Sequence, residues 1–167
     1  MPPRNEIAGT ITLTILDRLI DNEPKNRALE PAPARNVALR ELRASLRRDL
    51  EWLLNTRRTP LAADESHPEA QASLYNYGLP DLSSVSVNSY NDQTQLCKHL
   101  ETAIEHFEPR LMNIVVTMAA APSGTRTLRF MIEGLLKLDP APEHVSFDTT
   151  LELSSGEYAV KGESGGR

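Results

Sequence analysis

Around Pro109 the hydrophobic pattern of this chain changes period, and that change limits what it can fold into. On the N-terminal side Leu96, Leu100, Ala103, Ile104 and Phe107 recur at helical spacing. On the C-terminal side Met112, Ile114, Val116 and Met118 alternate with Asn113, Val115 and Thr117, as on a strand. Pro109 fixes its own φ, lacks an N–H and biases Glu108 away from the helical region, so the helix must stop here. An extended chain from Glu108 onward would put Glu108 and Arg110 on one side, with Cα atoms roughly 6.5 Å apart. A carboxylate and a guanidinium at such a junction can recognise a partner or can tie two elements of one domain together. The residues alone allow both.

Residues 10–21 hold Leu13, Leu16, Leu19 and Ile20 at helical spacing, with Asn22 and Pro24 as a stop. Pro24, Pro31 and Pro33 mark residues 22–36 as a linker. Asn36 is suited to cap a stronger helix, in which Leu39, Leu42, Leu46, Leu50 and Leu53 form one stripe. Trp52 beside that stripe reads as a core anchor, and Arg40, Arg43 and Arg47 read as the outward face. Residues 59–73 read as a loop, and Gly78 supplies a positive φ for a turn over 74–81. Residues 82–87 fit a short strand or a helical turn, and 89–107 form the helix that ends at Pro109.

Beyond Met118 the period stays at two. Pro122-Ser123-Gly124 makes a turn, then Leu128, Phe130, Ile132, Leu136 and Leu138 share a face, with Gly134 as a bulge. Val145, Phe147, Thr149, Leu151 and Leu153 alternate again, and Ser154-Ser155-Gly156 turns into a last strand over 158–161. This order predicts an α+β domain, two to three N-terminal helices packed on a C-terminal antiparallel sheet of about four strands. A length of 167 residues suits a single domain over 1–167, with flexible 1–9, linker 22–36 and tail 162–167.

The chemistry on offer is narrow. The longest apolar run, 114–121, is broken by Thr117 and is far too short to cross a bilayer, so direct membrane insertion is not expected. The first residues carry an acid and no apolar segment, against a secretory signal, and lone Cys97 forms no internal disulfide, so the cytoplasm is the simplest location. A net charge of −5 argues against nucleic acid. Yet fourteen of the eighteen basic residues are arginine, seven of them between Arg35 and Arg58. They form either a solvated face or a docking face for an acidic protein, with Arg43 and Arg47 in it.

No Gly-rich phosphate loop, Cys-x-x-Cys or His-Glu-x-x-His occurs, so no cofactor or metal is expected. His99 and His106 share a helical face without a ligand cluster around them. A glycosidase needs one protonated and one ionised carboxyl. Glu108 is the natural acid, but Arg110 beside it would favour the ionised form, the opposite of what a proton donor needs.

Five segments in order resemble a known family. They are 16–19 (LDRL), 48–58 (RDLEWLLNTRR), 77–81 (YGLPD), 107–111 (FEPRL) and 130–134 (FMIEG). The chain resembles the TssE baseplate subunits of bacterial type VI secretion systems, related to a small wedge protein of contractile phage baseplates. The resemblance implies a non-catalytic structural subunit that joins TssF and TssG in the wedge and adjoins TssK and the sheath proteins. It assigns partner binding to Glu108, Pro109 and Arg110. The alternatives are a muralytic, lysozyme-like glycosidase acting through Glu108, and a cytosolic adaptor using its arginine-rich helix. The final hairpin, 145–161, is the expected sheath contact, with Tyr158 and Val160 on an edge strand open to strand addition. On that reading a chain ending at Leu153 would stay folded.

Overall fold

The leucine stripe folds as α2, Arg35–Asn55. The computed structural model describes residues 11, 14–20, 34–61, 64, 66–71, 73–81, 89–119 and 127–162. Before α2 comes α1 (Ile15–Leu19); after it come α3 (Pro68–Gln71), a 3-10 turn at Leu74–Asn76, and α4 (Tyr90–Phe107). Four strands follow, β1 (Leu111–Ala119), β2 (Thr127–Leu136), β3 (Glu143–Glu152) and β4 (Tyr158–Lys161). They lie in the order β1-β2-β3-β4, each antiparallel to the next. The α+β architecture expected from the change of period is the one that forms.

One core joins the layers. Leu42, Leu46, Leu50, Leu53 and Leu54 of α2 meet Leu96, Leu100 and Ile104 of α4 over the inner face of the sheet. Phe130, Ile132, Val145, Phe147, Tyr158 and Val160 form the floor. Burying each such side chain stabilises by about 1.5–3 kcal/mol, which is why the 3.6 and 2.0 periods select these faces. Ser89 caps α4 by accepting from the Asp92 N–H at 3.3 Å.

Several expectations are corrected. Helix α2 starts at Arg35 with Ala34 as N-cap, so the last two residues of the expected linker are helical. Asn36 does not cap: its Oδ1 accepts from the neighbouring Val37 N–H at 2.9 Å. Trp52 is not a core anchor, being 51% exposed. At about 100° per residue it sits some 200° round the helix from Leu50, and the Arg48 guanidinium lies 4.9 Å from its ring centroid. Of the expected first helix the described residues form a helix at Ile15–Leu19, and Leu16, Leu19 and Ile20 are exposed. Five residues cannot hold an apolar stripe; Thr14 caps this helix by accepting from the Asp17 N–H at 3.2 Å. The loop over 59–73 contains α3. The expected flexible 1–9 and the readings of 82–87 and the 122–124 turn fall outside the described residues.

Arg43 is only half outside. It pairs with Glu143 at the start of β3, whereas Arg40 and Arg47 are exposed. Arg47→Glu is expected to change stability by less than about 0.5 kcal/mol. Arg43→Glu, which sets two carboxylates together, should cost up to about 1 kcal/mol in a urea titration.

The bulge lies on β1, not at Gly134. Register slips between Met112 and Val115, and Asn113 takes a φ of 54°. Gly134 on β2 is the residue opposite the bulge, where an added Cβ would come within 3.4 Å of the Met112 carbonyl oxygen. The slip makes Leu111, Ile114 and Val116 the buried set and leaves Met112 only half-buried.

Both sheet edges are engaged by a helix side chain. On β4 the Tyr158 N–H donates to Asn55 Oδ1 and the Asn55 Nδ2 donates to the Tyr158 carbonyl, each at 2.8 Å. On β1 the Val116 N–H donates to Glu101 Oε1 at 2.8 Å. Tyr158 and Val160 also point their side chains into the core. A chain cut at Leu153 therefore loses two core residues, and the expectation that it stays folded is not supported.

Candidate functional site

Pro109 ends α4 as its chemistry demands, but the chain does not run straight into a strand. Glu108 takes φ −121° and ψ 75°, and its N–H still donates to the Ile104 carbonyl at 2.8 Å. The Leu111 N–H then donates to the Glu108 carbonyl at 3.1 Å, closing a tight turn before β1. This turn, rather than strand alternation, brings Glu108 and Arg110 together. Lys137 takes the remaining carbonyls of the motif, its N–H on Arg110 at 2.9 Å and its Nζ on Pro109 at 2.7 Å.

Arg110 grips Glu108 with two nitrogens. Nε donates to Oε1 and Nη2 to Oε2, each at 2.5 Å. The same guanidinium reaches back to α2, donating to Asp49 Oδ2 at 2.6 Å and Ser45 Oγ at 3.2 Å. Arg48 joins Asp49 at 2.8 Å and Asp17 of α1 at 2.8 Å. A charged relay thus ties α1, α2 and the α4–β1 turn. Burial alone would lower the Arg110 pKa, but the bonds and charge of Glu108, then of Asp49, outweigh it and hold it above the usual arginine range. The intrachain tie, one of the two roles open at the start, is present.

Asp17 shows the same balance. Burial pushes its carboxyl up, but hydrogen bonds from Ser45, Thr14 and Arg48 and the Arg48 charge hold it down to about 2. A depressed folded-state value means the stabilisation is full above the ordinary value of 3.8 and is lost as pH falls toward about 2. Urea midpoints measured across that window should fall for the parent chain and fall less steeply for Asp17→Asn.

Beside the turn lies an open groove of about 310 Å³, lined by Trp52, Tyr77, Phe107 and Pro109 among others. Tyr77 and Phe107 stack edge to face with centroids 5.2 Å apart. Glu108 is only 5% exposed, whereas Pro109 is exposed, so the surface of this site is the proline and the aromatic rim. Arg43 and Arg47 lie apart from it on α2, and Tyr158 and Val160 lie at the far edge of the sheet, so the expected binding residues do not form one surface. Reading the sequence missed Asp17, Ser45, Asp49 and Lys137. Ser45 and Asp49 are four apart and flank the leucine stripe, which was the available signal for a polar pair facing the core rim. Among the described residues no group of three metal-ligating side chains is assembled.

The family model described as "Baseplate wedge protein gp25" matches residues 40–141. That match takes in α2 from Arg40 onward, the Glu108–Arg110 turn and β1 and β2, and the chain belongs to this baseplate wedge family. Among solved structures, a chain of "The baseplate complex from the type VI secretion system" is similar at 18% identity with a TM-score of 0.45, over 66% of this chain and 94% of that one. No match was found among curated proteins. Among the described residues no helix is long and apolar enough to cross a membrane.

Proposed function

We propose that this chain is the TssE-type subunit of a type VI secretion baseplate, a cytoplasmic, non-catalytic part that joins TssF and TssG and adjoins TssK and the sheath. The observation that carries this reading is the family match over residues 40–141, which spans the Glu108-Pro109-Arg110 turn. Two geometric facts support it. Both Glu108 oxygens accept from Arg110, which suits a structural clamp and not a proton donor. The aromatic rim with half-exposed Trp52 offers the kind of anchor that concentrates binding energy at interfaces. In this reading Glu108 and Arg110 position the turn while Pro109 and Trp52 meet the wedge partner.

Arg43 and Arg47 supply a second docking face, and the backbone of Tyr158 and Val160 supplies the sheath contact. A strand added at Tyr158 must displace Asn55, so addition there is gated by one side-chain amide. Trp52→Ala tests the main claim. It should keep its urea midpoint and lose co-purification with TssF and TssG by about tenfold or more, the scale of an interface hot spot. Full co-purification by the folded variant would remove this groove from the wedge contact.

A further inference from the structure

A cavity larger than the groove beside Pro109 lies elsewhere on the described surface. It measures about 690 Å³ and is lined by Arg57, Arg58, Gln71, Asn76 and Asp81 among others. A second cavity of about 170 Å³ shares Arg58, Gln71 and Asn76 with it and runs on to His99 and His106 of α4. The two share one wall and together form an open channel. Asp81 is the one acidic residue among the described residues lining it, in a chain whose net charge is −5.

The backbone that carries the two arginines is braced beside the channel. The Leu79 N–H donates to the Thr56 carbonyl at 2.8 Å and the Arg58 N–H donates to the Leu79 carbonyl at 2.9 Å. This short parallel clip pins the backbone of both arginines to a buried leucine. Gly78 makes the approach possible: its φ is 104°, and a Cβ there would stand 2.4 Å from the Thr56 oxygen. The guanidinium of Arg57 lies 3.7 Å from the exposed Asp81 carboxylate, so one carboxylate already sits at the rim in the position an incoming acid would take. Arg58 has no side-chain partner among the described residues and is exposed.

We propose that the channel lined by Arg57 and Arg58 is a docking site for an extended acidic segment of a partner protein. Two guanidinia on a fixed backbone suit carboxylates, because arginine's planar fork donates two parallel bonds and loses little freedom on binding. The openness of the channel fits a peptide lying across the surface rather than an enclosed small molecule. A nucleic acid is the poorer occupant, because a phosphate backbone is held through many cationic contacts and the described lining supplies two arginines, whereas a short acidic segment needs only two carboxylates. The channel shares Phe107 with the groove beside Pro109, but Arg57 and Arg58 lie outside that groove and the test needs no baseplate component, so the proposal stands or falls independently of the wedge reading.

The experiment measures fluorescence anisotropy of a labelled deca-glutamate peptide against the full chain, with a deca-thymidylate of the same label in parallel. The peptide should bind in a salt-dependent way. Arg58→Glu should weaken it by about tenfold, and Arg57→Glu with Arg58→Glu by more. The pair Arg18→Glu with Arg40→Glu carries the same charge change on exposed helix positions and should weaken it by less than about twofold. Equal losses from the two pairs, no peptide binding, or deca-thymidylate bound as tightly would each overturn the proposal. Urea midpoints accompany every variant; if the double reversal at 57 and 58 does not fold, Arg58→Gln is read in its place against the same control.

Discussion

Arg110→Ala is expected to cost about 3–5 kcal/mol of folding stability, because it leaves a buried carboxylate without its partner. Glu108 is 5% exposed and both of its oxygens are held by Arg110. Asp49 and Ser45 lose a donor in the same step. Arg110→Lys keeps a charge but not the fork, so it should recover only part of the loss. Adding Glu108→Gln to Arg110→Ala should recover part as well, since the uncompensated charge is then gone. The measurement is a urea titration read for a lower midpoint at unchanged slope. A loss below about 1 kcal/mol would mean that solvent screens the relay and that the turn is held by its backbone bonds alone.

Leu50→Ala is the second large effect, at about 2–5 kcal/mol. Leu50 is fully buried at the centre of the contact between α2, α4 and the sheet, and close-packed neighbours can collapse only partly into the space it leaves. Leu19→Ala gives the contrast. Leu19 is 76% exposed on α1, and its loss should stay within about 0.5 kcal/mol in the isolated chain. Equal effects at the two positions would mean that α1 contributes to the core.

The long elements were legible because burial enforces their period. Leu42, Leu46, Leu50 and Leu53 fall on one face for the same reason they can be read as a stripe, and so do Val145, Phe147, Thr149 and Leu151 on β3. What was not legible depends on single residues or on partners far away in the chain. Asn113 at positive φ shifts the register of β1, and no periodicity announces one left-handed residue. Trp52 is large and apolar, yet its angular position on α2, not its type, decides that it faces water. The Glu108–Arg110 pair was visible, but its hold on Asp49 spans 61 positions and appears only once the turn is folded.

The last strand carries a consequence for how the molecule is made. Strands β1 to β4 each pair with the next, so the sheet can assemble from contacts close in sequence. Helix α2 is different: Asn55 reaches Tyr158 across 103 positions, and Tyr158 and Val160 complete the layer beneath its leucines. During synthesis the chain emerges N-terminus first. The leucine face of α2 is therefore synthesised long before its floor is complete, and closure waits until the residues of β4 have left the ribosome. Long-range closure of this kind slows folding and prolongs exposure of apolar surface. The nascent chain passes through a window in which that face lacks part of its floor, and a stop codon anywhere before Tyr158 would leave the gap permanently.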